Sequence, residues 1–228
     1  MSVYGLMPTG GELAMIRKYV ADATVVFDVG ANVGVWTVIM SRKNSRAQVH
    51  AFEPNPETFA LLERNVGENK CANVTLNRTA VSDTEKQLTF QVPEGVSIYG
   101  RVAPAVEGVD KEGRFLHTNS FIVPSVRLDD YCRAHRIESI DFLKIDVEGY
   151  ELPALKGLES LLKARRIKAI YMETMKENHD MMGSNFSELL SYVSDCGYRF
   201  FSLADNDGSE SLVSIEQIKA HNHLCLPC

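Results

Sequence analysis

Residues 24–34 constrain the fold more than any other stretch of this chain. They read Thr-Val-Val-Phe-Asp-Val-Gly-Ala-Asn-Val-Gly, so a β-branched run reaches the acid Asp28 and is followed by Gly30 and Gly34. The glycines permit a tight turn and a close approach of backbone to ligand, and the apolar helical pattern that follows offers unpaired N–H groups at its N-terminus. The stretch therefore predicts the strand, turn and helix start of a nucleotide-type pocket.

The position of Asp28 favours one class of ligand for this pocket. A carboxylate at the end of the strand repels a pyrophosphate but can hold an amine or a ribose hydroxyl. The dinucleotide pattern Gly-x-Gly-x-x-Gly would also need a glycine where Asn32 stands. An adenosyl amino acid such as S-adenosylmethionine (SAM) therefore fits the stretch better than NAD does.

Length and charge exclude several other classes of protein. A chain of 228 residues suits one α/β domain over residues 1–228, with an N-terminal flap and helix in residues 1–22. The net charge of −6 argues against a nucleic-acid partner, because neutralising phosphates needs a basic surface. No apolar run approaches the roughly 20 residues of a membrane helix, so no membrane partner is predicted.

The cysteines indicate a reducing compartment. Their number, five, is odd and they are widely spread, which predicts a cytoplasmic protein without a disulfide framework. Cys225 and Cys228 have the spacing of a zinc ligand pair, but no second pair is evident and no metal site is predicted.

The ends of the second and third predicted strands supply the nucleoside part of the pocket. Glu53 and Pro54 follow the strand over residues 48–52, and Glu53 lies nineteen residues after Gly34, at the distance of a ribose-binding acid. The third strand, residues 74–80, places Ala80 and Val81 beside the adenine. Asp83 could accept a hydrogen bond from the adenine amino group or cap a turn.

Residues 139–151 form the second informative stretch, an apolar strand that ends at Asp146. This strand neighbours the first strand in a doubly wound sheet, so Asp146 is expected in the crevice near the methionine part of the ligand. Glu148 could instead serve the next helix N-terminus. Glu173 ends the fifth strand, residues 168–172, and His179 is expected in the loop after it. We expect Trp36 to pack in the core.

Residues 87–126 interrupt the alternation of strands and helices. Residues 88–92 and 120–126 alternate like strands, which predicts a β-hairpin insertion between the third and fourth strands with a mobile tip. Insertions at the ligand face often carry specificity, so the candidate substrate contacts are Tyr99, Arg101, Arg114 and His117.

Five segments together resemble the FkbM-type SAM-dependent methyltransferases. They are Phe27-Asp-Val-Gly-Ala-Asn-Val-Gly34, Ala51-Phe-Glu-Pro-Asn55, Ala80-Val-Ser-Asp83, Leu143-Lys-Ile-Asp-Val-Glu-Gly149 and Leu224-Cys-Leu-Pro227. The resemblance implies a Rossmann-like class I methyltransferase fold, in which helices flank a mostly parallel seven-stranded sheet whose last strand is antiparallel. It also implies methyl transfer to oxygen, commonly to a hydroxyl of a sugar or a polyketide-like small molecule, by an enzyme that could be a homo-oligomer.

We assign roles to the site residues as follows. The methionine end of SAM falls to Asp28 and Gly30, the turn to Asn32 and Gly34, the ribose to Glu53, and the adenine to Ala80 and Val81, with Asp146 nearest the methyl group. Ala31 and Pro54 complete the predicted cofactor-binding residues. The general base is left open among Asp146, Glu148, Glu173 and His179.

Three alternatives stay open at this point. A divalent metal held by Asp146 and Glu173 ranks below a metal-free mechanism, since no third ligand is evident. An NAD-dependent dehydrogenase could use a similar sheet. A SAM-binding protein without catalysis would carry the same cofactor residues.

Overall fold

The structure, a computed structural model, describes residues 7–93, 100–102, 118–218 and 222–228. Its strands are β1 Val25–Val29, β2 Gln48–Phe52, β3 Val74–Asn77, β4 Ala80–Val81, β5 Gln87–Pro93, β6 Arg101–Val102, β7 Thr118–Val126, β8 Phe142–Ile145, β9 Ile170–Glu173, β10 Tyr198–Leu203, β11 Glu210–Val213 and β12 Asn222–Pro227. Its helices are α1 Gly10–Val20, α2 Val35–Lys43, α3 Pro56–Glu68, α4 Leu128–Ala134, α5 Glu151–Lys156, α6 Glu159–Lys163, α7 Lys176–Met182 and α8 Phe186–Asp195.

Eight strands form the main sheet, in the order β11-β10-β12-β9-β8-β1-β2-β3. The pairings from β3 through β2, β1 and β8 to β9 are parallel, and β12 lies antiparallel between β9 and β10. The chain runs outward from β1 to β3 and then returns to β8 on the other side of β1. A crevice opens where the connections diverge, at the carboxyl ends of β1 and β8.

Strand β1 is buried along its whole length because helices cover both faces of the sheet. Phe27 and Val29 pack towards α4, α5, α6 and α8, whereas Val26 packs towards α1 and α2. This alternation follows from the two-residue period of a strand. It also sends the side chain of Asp28 to the α2 face of the sheet, where Thr37 lies.

The insertion between β3 and β8 contributes a second, four-stranded sheet in the order β4-β7-β5-β6. The predicted hairpin strands are present as β5 and β7, which pair antiparallel. The predicted third strand is shorter than expected, because the backbone of Ala80 and Val81 pairs with Ser125 and Val126 of β7 instead of continuing beside β2. The tip predicted between the two hairpin strands lies largely outside the described residues.

Two further elements differ from the sequence-based expectation. The pattern of residues 151–164 is typical of one continuous helix, but the chain forms α5 and α6, divided at Gly157, where a Cβ would lie 2.3 Å from the carbonyl oxygen of Ser82. Strand β11 adds an eighth strand to the expected seven by pairing with β10. Its four residues, Glu-Ser-Leu-Val, are too few to show the alternating apolar pattern that would predict a strand.

The N-terminus of α1 packs against the turn between β10 and β11. Thr9 and Glu12 form a reciprocal capping box there. The N–H of Gly11 donates to the carbonyl oxygen of Asp205 at 2.6 Å, and a Cβ on Gly11 would lie 2.1 Å from the carbonyl oxygen of Ala204. The two segments therefore touch backbone to backbone. Within the described part of the chain, no helix has the length and apolarity to cross a membrane.

Candidate functional site

A cavity of about 710 Å³ occupies the crevice at the carboxyl ends of the parallel strands. Its lining comes from the β1–α2 turn, the ends of β2, β4, β8 and β9, the insertion sheet, and the start of α1 with the ends of β10 and β12. A volume of this size suits a small-molecule site.

The β1–α2 turn requires glycine at Gly30. This residue has φ of 78°, and a Cβ would lie 1.8 Å from the carbonyl oxygen of Asp146. The N–H groups of Gly30 and Ala31 both donate to the carbonyl oxygen of Phe52, which fixes the turn on β2. Gly30, Ala31 and Asn32 line the cavity. Gly34, in contrast, caps α2 with φ of 88° and packs against Leu62, so it shapes the turn from behind.

Glu53 lines the cavity with its carboxylate held in a fixed orientation. Its Oε2 accepts a hydrogen bond from the N–H of Asn32 at 3.0 Å, and its Oε1 accepts from the N–H of Asn55 at 2.9 Å. Burial raises the pKa of Glu53 to about 7, although these two hydrogen bonds favour the charged form. The remaining lone pairs can accept two vicinal hydroxyl donors. Pro54 lines the cavity beside it.

Asp28, predicted to hold the methionine end of SAM, is not among the described residues that line the cavity. Its side chain is fully buried under α2, and its Oδ2 accepts from Thr37 Oγ1 at 2.5 Å. The strand period explains this placement, because the residue points into a face of the sheet and not along the strand to its end.

Lys144 lies at the centre of the site and was not predicted from the sequence. Its Nζ lies 3.1 Å from Asp146 Oδ2, 3.1 Å from the carbonyl oxygen of Gly30 and 3.7 Å from Asp28 Oδ1. Burial lowers the pKa of Lys144, but the carboxylates of Asp146 and Asp28 outweigh burial, so the net shift is upward and the ammonium stays charged. A lysine inside an apolar strand was a usable signal, because a buried ammonium requires carboxylate partners.

Three carboxyl groups meet at the end of the cavity near Lys144, and all three were predicted site residues: Asp146, Glu148 and Glu173. Asn178 Nδ2 lies between two of them and donates to Glu148 Oε2 and to Glu173 Oε2, each at 2.9 Å. Glu148 has φ of 55°, a left-handed conformation that is uncommon for residues other than glycine.

The surroundings of Glu148 and Glu173 favour the protonated form of both carboxyl groups. Burial, followed by the charges of Asp146 and Glu151, raises the pKa of Glu148 to about 7. Burial, followed by the charges of Asp146 and Glu148, also raises the pKa of Glu173. A carboxyl group with a pKa near 7 is suited to proton transfer at neutral pH.

His179 lies in α7 and not in a loop, and it is outside the described cavity lining. It is 1% exposed, with Nε2 3.2 Å from Glu151 Oε2 and Nδ1 2.8 Å from Ser184 Oγ. Glu151 Oε1 in turn accepts from the N–H groups of Val147 and Gly149 at 3.0 and 3.3 Å. His179 and Glu151 therefore support the loop that carries Asp146 and Glu148.

Ala80 and Val81 line the cavity together with Phe90 and Val102 of the insertion sheet. Asp83 is not in the described lining. It accepts hydrogen bonds from Ser82 Oγ at 2.9 Å and Lys86 Nζ at 3.0 Å, as expected for a turn residue.

Of the four candidate substrate contacts in the insertion, the structure describes Arg101, which lies outside the described cavity lining and interacts electrostatically with Glu148. Tyr99, Arg114 and His117 lie outside the described residues.

An aromatic wall forms the side of the cavity near α1. Trp36 lines the cavity and stacks on Tyr171 with ring centroids 5.4 Å apart and an angle of 26° between the planes. The Tyr171 hydroxyl donates to Glu12 Oε1. Trp36 thus packs on the core as predicted and also faces the site. Helical periodicity does not distinguish these two roles.

The described residues contain no cluster of three or more His, Cys, Asp or Glu side chains arranged to hold a metal ion. The sheet order, the glycine turn after β1 and the acid after β2 define a Rossmann-like class I methyltransferase fold. An O-methyltransferase from Bacillus cereus in complex with SAH has the same fold, with a TM-score of 0.52 and 10% identity over 96% of this chain and 80% of that one.

The model of the methyltransferase FkbM domain matches residues 28–200, and the chain belongs to this family. The 31-O-demethyl-FK506 methyltransferase FkbM of Streptomyces tacrolimicus is 30% identical over 217 residues, which cover 86% of this chain and 80% of the relative. The hexuronic acid methyltransferase AglP of Haloferax volcanii is 30% identical over 157 residues, 68% of this chain and 59% of AglP. The chain thus spans about three fifths of the length of AglP. The family assignment confirms the resemblance drawn from the motifs. It also confirms the prediction that the cofactor is SAM.

Proposed function

We propose that the protein containing this chain transfers the methyl group of SAM to a hydroxyl oxygen of a small molecule or carbohydrate. One observation carries the proposal: a single cavity joins the fixed carboxylate of Glu53 to the carboxyl groups of Asp146, Glu148 and Glu173. The first suits a ribose, and the second group suits a cation beside an acceptor hydroxyl. FkbM and AglP, the relatives described above, are methyltransferases by name.

The residues present fit SAM. The ribose hydroxyls would donate to Glu53 beside Pro54, the adenine would lie against Ala80 and Val81, and the methionine part would follow Gly30, Ala31 and Asn32, all of which line the cavity. SAM carries a net positive charge, which the carboxylate of Asp146 would stabilise. Asp28 acts from behind the turn through Lys144 and Thr37.

The chemistry requires an acceptor held in line and a place for its proton. Bound SAM supplies an electrophilic methyl group on a sulfonium sulfur. As the oxygen–carbon bond forms and the sulfur–carbon bond breaks, the hydroxyl proton passes to the ionised carboxylate of the Glu148 and Glu173 pair. Among the four candidate bases, this pair is favoured because Asp146 is paired with Lys144 and His179 faces away from the cavity.

Calorimetry and an acceptor screen test the proposal. SAM and SAH should bind in the micromolar range typical of cofactors, and SAH should accumulate with a hydroxyl acceptor. Binding of NAD in place of SAM would indicate a dehydrogenase. SAM binding without turnover of any hydroxylated compound would indicate a non-catalytic SAM-binding protein.

The setting of the enzyme is also part of the proposal. The odd number of widely spread cysteines supports a reducing cytoplasm, and the net charge of −6 supports a small-molecule acceptor over a nucleic acid.

A further inference from the structure

The charges around the cavity are strongly unequal. Among the described lining residues, one side chain carries an ammonium or guanidinium group, that of Lys144. Six carry carboxyl groups: Glu12, Glu53, Asp146, Glu148, Glu173 and Asp205. An acceptor with its own carboxylate or phosphate would therefore add negative charge to a cavity in which the carboxyl groups already repel one another.

Lys144 is not available to such an acceptor. Its Nζ is already within 3.1 Å of Asp146 Oδ2 and of the Gly30 carbonyl oxygen, and it is 5% exposed. Drawing the ammonium towards an acceptor anion would leave Asp28 and Asp146 uncompensated beside each other. The raised pKa values of Glu148 and Glu173 show that this end of the cavity already disfavours negative charge.

The part of the cavity beyond the SAM residues offers a surface for a ring. Trp36 presents an aromatic wall that is fixed by stacking on Tyr171, and Tyr171 is tied to Glu12 at the start of α1. Ser202, Asp205 and Asn222 line the same region with polar side chains. An aromatic wall beside hydrogen-bonding groups binds a ring that has apolar C–H faces and hydroxyl edges.

We propose that the acceptor is an uncharged hydroxylated ring, such as a neutral glycoside, bound against Trp36 with its reacting hydroxyl towards Glu148 and Glu173. This proposal rests on the proposed methyltransferase function and names its substrate class. It separates this chain from a hexuronic acid methyltransferase such as AglP, although both chains belong to one group of similar sequences.

Matched acceptors test the charge requirement. The purified protein with saturating SAM is assayed for SAH release with methyl hexosides, the corresponding methyl hexuronides and hexose phosphates. We expect kcat/KM for the neutral series to exceed that for the acidic series by about 100-fold, the effect of several kcal/mol of like-charge juxtaposition. Equal turnover, preference for the acidic series, or no turnover of the neutral series by protein that binds SAM would overturn the proposal. Failure to bind SAM would instead refute the proposed function.

Two variants test the ring site itself. Trp36→Leu should raise KM for the neutral acceptor about tenfold and change the Kd for SAH far less, because the ring faces the acceptor and reaches the cofactor side only through Lys144 Nζ, 6.0 Å from the ring centroid. Phe201→Leu is the matched control, since Phe201 packs on the same core cluster without lining the cavity. Asp205→Lys should narrow the preference for neutral over acidic acceptors about tenfold. An unchanged KM in Trp36→Leu, or an unchanged preference in Asp205→Lys, would contradict the placement of the ring.

Discussion

At the scale of single residues, the site is governed by how burial changes charge. Glu53 and Lys144 are both buried and both partnered, but their partners differ. Glu53 is held by two backbone N–H groups and has a pKa raised to about 7, whereas carboxylates keep Lys144 charged. The first group can change its protonation at neutral pH, and the second is a fixed charge.

We expect the affinity for SAM to fall as the pH drops through about 7, because protonated Glu53 no longer offers a full carboxylate to the ribose hydroxyls. The loss approaches tenfold per pH unit below the pKa. Glu53→Gln should abolish this dependence, and Glu53→Ala should weaken binding by about 1.5–3 kcal/mol. Calorimetry across the pH range measures both effects. Glu148→Gln is the control and should keep the pH dependence of SAM binding. A pH dependence that survives in Glu53→Gln would show that another group is responsible.

Lys144→Met should destabilise the fold by about 3–5 kcal/mol, because it leaves the buried carboxylate of Asp28 and the half-buried carboxylate of Asp146 without a compensating ammonium. Urea denaturation measures the change. Lys86→Met removes the exposed partner of Asp83 and should cost less than about 1 kcal/mol. Wild-type stability of Lys144→Met would show that the carboxylates do not need the ammonium.

At the scale of elements, the loop between β8 and α5 depends on the helix that follows it. Glu151 binds the N–H groups of Val147 and Gly149, and His179 in α7 contacts the other oxygen of Glu151. Glu151 and His179 therefore hold the loop that keeps Glu148 in its left-handed conformation, although neither is in the described cavity lining.

Glu151→Gln should lower kcat about 10- to 100-fold with little change in the Kd for SAM, because a small displacement of the loop misplaces Glu148 relative to the acceptor. Steady-state kinetics and calorimetry separate the two quantities. The control is Glu188→Gln on α8, which removes an exposed ion pair with Lys156 of α5 and should change neither kcat nor the Kd for SAM. Equal losses in kcat and in SAM affinity would indicate that Glu151 supports the cofactor site instead.

The sequence predicted those elements whose signals are local. The strand, turn and helix of residues 24–43 follow from β-branched residues, glycines and apolar periodicity, and Glu53 follows from its distance to the turn. Side-chain direction was harder to predict. Asp28 sits one residue before the strand end and points to the α2 face, and His179 belongs to a helix whose polar sequence gave no periodic pattern. The roles of Lys144 and Trp36 depend on neighbours that are distant in the chain.

At the scale of the whole molecule, the cavity lies between two groups of elements. The turn, β2 and β4 supply the nucleoside end, whereas α1, β9, β10 and β12 supply the acceptor end. The sheet order was predictable from the motifs and their order along the chain. The acceptor end was not predictable, because at that end residues near position 10 pack against residues near position 205.

Gly11→Ala should destabilise the protein by about 1–3 kcal/mol, because the added Cβ meets the Ala204 carbonyl oxygen at 2.1 Å and forces α1 away from the β10–β11 turn. Acceptor turnover should fall more than SAM affinity does. The matched control is Gly67→Ala in α3, where the Cβ has open space and helix propensity improves. Thermal unfolding compares the two variants, and equal effects would show that the junction tolerates a side chain.

The junction of α1 with the β10–β11 turn has a consequence for how the protein acquires its activity. Lys18 of α1 bonds to Glu210 of β11 across a sequence separation of 192 residues, so this wall closes a very long loop. The nucleoside end instead uses β1, β2 and β4, which are close together in the chain. During synthesis the ribose-binding acid is therefore made early, whereas the acceptor wall waits for the last strands to emerge. A growing chain would gain its nucleoside-binding groups before it could methylate anything.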